Sequence, residues 1–166
     1  MATTYEAIAT VTVGSGGAAD ITFSSIPATY TDLVLVVTGL FTSSGGNSRI
    51  RFNGDTGTTY SNTRLQGDGT SASSNRSTSQ TFLRLDYDGN SSTVPNMTRT
   101  NIFSYAGSTY KTCLIESSED KNGSGSTVRT VGLWSSTSAI TSIEVLMSSS
   151  TFAAGTTATL YGILRA

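Results

Sequence analysis

Apolar residues in this chain recur at every second position, in short runs separated by Gly, Ser, Asn and Asp. A period of two places alternate side chains on opposite faces of an extended strand. Residues 5–13 open the pattern: Tyr5, Ala7, Ala9, Val11 and Val13 are predicted on one face, and Gly14-Ser15-Gly16-Gly17 turns the chain. Ile21 and Phe23 mark a second strand, ended by Pro27. Leu33-Val34-Leu35-Val36-Val37 is apolar on both faces. That predicts a central strand covered on both sides, with Leu35 and Val37 in the core. Arg49-Ile50-Arg51-Phe52 alternates with Ile50 and Phe52 inward, and Tyr60 to Gln66 is a weaker strand.

Residues 67–79 are rich in Gly, Ser and Asn and read as a long exposed loop. Phe82 to Tyr87 reads as a strand, followed by a turn at Asp88-Gly89-Asn90. Thr98 to Tyr105 and Tyr110 to Ser117 read as a hairpin joined through Ala106-Gly107-Ser108. Residues 118–126 form a polar connection, and Val128 to Trp134, Ile140 to Met147 and Thr159 to Leu164 complete the set. The sum is about ten or eleven antiparallel strands, and no segment carries a helical apolar stripe. An all-β, jelly-roll-like β-sandwich is predicted, because long connections at 67–79 and 118–126 suit strands that cross between sheets. The 166 residues fit a single β-sandwich domain, 1–166, large enough to close a core without cross-links.

Composition narrows the function. Charged residues are 13% of the chain, against roughly 25% in ordinary soluble domains. Ser and Thr make up roughly a third, so hydroxyls must solvate the surface. The net charge is −1, with no basic stripe, so no nucleic-acid partner is expected. No run of 18 apolar residues spans a membrane, and Met1 to Glu6 lacks the basic start and apolar run of a secretory leader.

The chain has no His, which closes Ser-His-Asp and Cys-His machinery and His-based zinc sites. Neither Lys111 nor Lys121 sits in a Ser-x-x-Lys motif. Cys113 is the only cysteine and reads as a small buried residue. Asp86-Tyr87-Asp88-Gly89-Asn90 resembles the start of a calcium loop, but Ser91 and Met97 stand where that loop needs Gly and Glu. Most other carboxylates fall in predicted turns, where Asp is a turn former. Trp134, Tyr60, Tyr87, Tyr105 and Tyr110 could stack sugars if exposed, but a core or interface role outweighs that. No catalytic residue, metal ligand or cofactor is expected, and the chain reads as a non-enzyme.

Three stretches add a resemblance. They are Ile26-Pro27-Ala28-Thr29-Tyr30-Thr31-Asp32-Leu33, then Arg51-Phe52-Asn53-Gly54-Asp55 followed by Tyr60, and Phe152-Ala153-Ala154-Gly155-Thr156 running on to Leu160-Tyr161-Gly162-Ile163. Together they resemble small jelly-roll structural proteins of tailed bacteriophages, of the aquatic or cyanophage type. The resemblance implies a virion protein assembled in the host cytoplasm. The absence of heptads in residues 1–20 favours a capsid decoration or cement protein that stabilises the head. The alternative is a tail-fibre or receptor-binding tip that recognises host-surface glycans. Low charge and few Lys or Pro to blunt strand edges predict a homo-oligomer. A homotrimer seated on the major capsid protein or another virion protein follows from the resemblance alone.

Overall fold

A computed structural model describes residues 4–42, 46–86 and 91–164. Among them run twelve strands and no helix: β1 (Tyr5–Thr12), β2 (Asp20–Phe23), β3 (Asp32–Gly39), β4 (Ser48–Phe52), β5 (Tyr60–Gly67), β6 (Ala72–Gln80), β7 (Leu83–Arg84), β8 (Asn96–Ile102), β9 (Lys111–Asp120), β10 (Gly125–Trp134), β11 (Ile143–Met147) and β12 (Thr157–Ile163). They form an eight-stranded sheet, β1-β12-β3-β8-β9-β10-β5-β6, and a four-stranded sheet, β2-β11-β4-β7.

The winding follows from the pairings. β1 pairs with β12, β2 with β11, β3 with β8 and β4 with β7, all antiparallel. These eight strands are one long antiparallel ribbon folded back on itself. The β12–β3 and β11–β4 pairings then roll the ribbon into two sheets. That is the jelly-roll arrangement the strand pattern predicts. The other four strands are two hairpins, β5–β6 and β9–β10, and both extend the larger sheet alone.

The core lies between the sheets. Leu33, Leu35, Val37, Ile102, Cys113, Ile115 and Trp134 from the larger sheet meet Ile21, Phe23, Ile50, Phe52, Leu83, Ile143 and Val145 from the smaller. Gly132 allows a close approach between them: a Cβ there would lie 2.9 Å from Leu83 Cδ1. A side chain at this position would force the Leu83 side chain to shift.

Several sequence expectations change. The predicted loop 67–79 is mostly β6, and residues 118–126 are the end of β9, a short turn and the start of β10. Neither crosses between sheets, so the jelly roll holds for a different reason from the one the sequence suggested. β6 escapes the period-two test because it is polar after Ala72 and every residue in it is exposed or half-buried. In β1 a bulge between Ala7 and Ala9 breaks the strict alternation. Ile8, not Ala7 or Ala9, packs on the core. Phe82 to Tyr87 shrinks to the two residues of β7, and Tyr87 lies outside the described residues. The outer side of β3 is covered in part: Val34 is buried but Val36 is half-buried. β8 and β9 are neighbours, but residues 103–110 join them in place of a tight turn.

The inner face of the larger sheet is not apolar throughout. Thr100 and Thr130 both lie opposite Ile115 in register, are buried, and have hydroxyls with no partner among the described residues. An unpaired buried hydroxyl costs about 1–3 kcal/mol. Thr100→Val should therefore stabilise the protein by about 1 kcal/mol in a urea melt. A loss of stability would mean that the hydroxyl is satisfied after all.

Candidate functional site

The residues with the most chemical potential prove to be structural. Trp134, Tyr60 and Phe52 form an aromatic cluster where β4, β5 and β10 converge. The Tyr60 and Trp134 rings stack with centroids 6.3 Å apart, and Phe52 lies 5.5 Å from Trp134. Trp134 Nε1 donates to Asp55 Oδ2 at 2.7 Å, and Thr59 Oγ1 donates to the same oxygen at 2.7 Å. The Trp134 bond is the largest influence holding the Asp55 carboxyl below the usual range. Burial pushes the Tyr60 phenol up to about 12. Its hydroxyl accepts from Phe52 N at 3.1 Å and donates to Asp55 O at 3.2 Å.

The Asn53-Gly54-Asp55 stretch is the corner that builds this cluster. Asn53 adopts φ +53°, a left-handed conformation that Asn tolerates. Its Oδ1 accepts from Thr141 N at 2.8 Å and Ser142 N at 3.1 Å, and its Nδ2 donates to Ala139 O at 2.8 Å. One side chain thus ties the β4–β5 corner to the β10–β11 connection.

The two other stretches behind the family resemblance also hold the fold. Tyr30 packs on Gly162, where a Cβ would sit 2.3 Å from the ring. Tyr105, fully buried, donates its hydroxyl to Pro27 O. Phe152 is buried beside Phe41, with ring centroids 5.7 Å apart, and Thr156 Oγ1 donates to Leu40 O at 2.9 Å. All three stretches therefore encode corners and close approaches of the sandwich.

Asp86, the first residue of the calcium-like stretch, is buried. Its Oδ2 accepts from Ser48 N at 3.0 Å and from Ser48 Oγ, while Oδ1 has no partner among the described residues. Burial outweighs these bonds and nearby Arg84, and pushes the carboxyl up to about 6. Residues 87–90, including Asp88, lie outside the described residues. Ser91 is buried, with its hydroxyl accepting from Thr93 N and Val94 N, and Met97 is exposed on β8. Among the described residues no group of three or more His, Cys, Asp or Glu could hold a metal ion.

Cys113 is fully buried, and burial pushes its thiol up. Lys111, which the sequence did not single out as buried, is also enclosed, with Nζ donating to Gly107 O and Thr109 O. An open cleft of about 480 Å³ lies between the β5–β6 and β9–β10 turns, with Asp68, Glu119 and Asp120 along it. Asp68 is occupied by its own turn: it accepts from Thr70 and Ser71 backbone and hydroxyl donors, which hold its carboxyl far below the usual range.

What the fold leaves open is the outer face of the larger sheet, away from the core. Leu65, Met97 and Val131 are at least half exposed there. Among the described residues the strands at its two margins, β1 and β6, each pair on one side only. No protein-family model matches the chain, and neither a curated protein nor a solved structure matches it.

Proposed function

We propose that this chain is a structural protein of a tailed bacteriophage virion, a capsid decoration or cement protein that stabilises the head. The observation that carries the reading is the open larger sheet. A jelly roll can close its core with eight strands. Here four further strands are spent on widening one sheet, which ends in two long, unpaired edges and keeps apolar side chains on its outer face. Broad sheet surfaces and free edges suit contact with neighbours in a shell more than they suit a small-molecule site. The phage-like sequence stretches support the same reading.

Partners are then copies of the chain and the major capsid protein or another virion protein. The unpaired edges, with few Lys or Pro and a net charge of −1, favour a homo-oligomer. A trimer follows from the local three-fold points of a capsid. Light scattering on the purified chain tests this: a mass above the 17.2 kDa monomer is expected, together with rebinding to particles stripped of the protein. A stable monomer that ignores particles and adheres to host cells would replace this reading with the receptor-binding one.

A further inference from the structure

The outer face between β8 and β6 carries an uneven charge. Register sets Arg99, Glu116, Arg129 and Leu65 side by side across β8, β9, β10 and β5. The next row holds Asn101, Leu114, Val131, Thr63 and Arg76. Three arginines against one glutamate give these rows +2, in a chain of net charge −1, so the rest of the molecule carries −3. Asp32 and Asp120 stand at opposite ends of the strands, outside these rows.

Each guanidinium is held by a neighbour. Arg129 donates to Glu116 Oε1 at 2.6 Å, Arg99 to the Tyr5 hydroxyl at 3.2 Å, and Arg76 Nε to Thr63 Oγ1 at 3.2 Å. A guanidinium has five N–H donors, so these contacts fix orientation and leave donors outward. Arg129 and Thr127 border two shallow depressions of about 320 Å³ each. One holds Met97 and Arg99, the other Leu65 and Ala72. Each therefore sets an exposed apolar side chain beside an arginine, and Glu116, paired with Arg129, also lines the first.

We propose that this face docks a protein surface that presents carboxylates around at least two protruding apolar side chains. Arginine forks match carboxylates in bidentate geometry. Exposed Arg and Met amid apolar neighbours is the composition of interface centres. A second copy docking by this same face would set +2 against +2. A polyanionic strand would use the arginines but leave Leu65, Met97 and Val131 wet. The identity of the partner rests on the virion reading: it is an acidic region of the shell protein.

The test uses the full chain and phage particles stripped of it. The unaltered chain should rebind, and rising salt should weaken it. Arg99→Glu with Arg129→Glu should lower affinity at least about tenfold, and Leu65→Lys, in the second depression, should lower it independently. Melting midpoints near the parent's would show that each variant folds. If the parent rebinds and both variants rebind equally well, this face is not the docking surface and the virion reading stands. If the parent itself fails to rebind, both are overturned.

Discussion

Trp134→Ala is expected to cost the fold about 3–5 kcal/mol, the range for truncating a buried aromatic side chain. The indole fills the junction of β4, β5 and β10 against Phe52 and Tyr60. Its removal also takes away the Nε1 donor to Asp55, leaving that oxygen with Thr59 alone. Trp134→Phe keeps most of the ring and should lose less, about 1–2 kcal/mol for the hydrogen bond and the packing change. Trp134 is the only tryptophan, so the comparison belongs in denaturant melts followed by circular dichroism. If the two variants are equally unstable, the bond and not the packing dominates the corner.

The second large effect has the opposite sign. Asp86→Asn is expected to stabilise the protein at neutral pH. The folded state raises the Asp86 carboxyl from 3.8 to about 6. A raised acid stabilises the fold when protonated. Its contribution is fully present below the unfolded value and is lost as pH rises through about 6. The displacement is worth about 3 kcal/mol. Asn keeps an oxygen for Ser48 N and Ser48 Oγ and never bears the buried charge. The gain of Asp86→Asn over the parent should therefore approach about 3 kcal/mol near pH 8 and vanish near pH 4. In a domain of this size each kcal/mol moves the melting midpoint by about 2–4 °C. A pH-independent difference would show that Asp86 does not titrate in this window. Asp55, held low by Trp134, acts in the other direction: its contribution is present above the unfolded value and fades as pH falls through the folded one.

Much of the fold was legible in the sequence because half-buried strands advertise themselves. Ile50 and Phe52 alternate with Arg49 and Arg51 and point inward as that alternation requires. The legible strands were those with one face on the core. β6 has neither face on the core, so no apolar period could mark it. The β1 bulge was hidden for another reason: Ala7, Ile8 and Ala9 are all apolar, and composition does not say which one the bulge turns inward.

The candidate surface was less legible still. Arg99, Glu116, Arg129 and Leu65 lie far apart in sequence and form one row only through strand register. Leu65 and Val131 stand on the outward phase of strands whose other phase faces the core, and period two gives that phase but not whether the outward face is covered. Asp86 illustrates the reverse. The sequence offered it as the start of a cation loop, but the sandwich buries its carboxyl against Ser48.

Counting this chain in purified phage particles decides whether it belongs to the virion head. Quantitative mass spectrometry should find it in a simple stoichiometric ratio to the major shell protein. It should be lost from the particles, with reduced head stability, when its gene is deleted. Its absence from purified particles, or a handful of copies confined to the tail, would contradict the account.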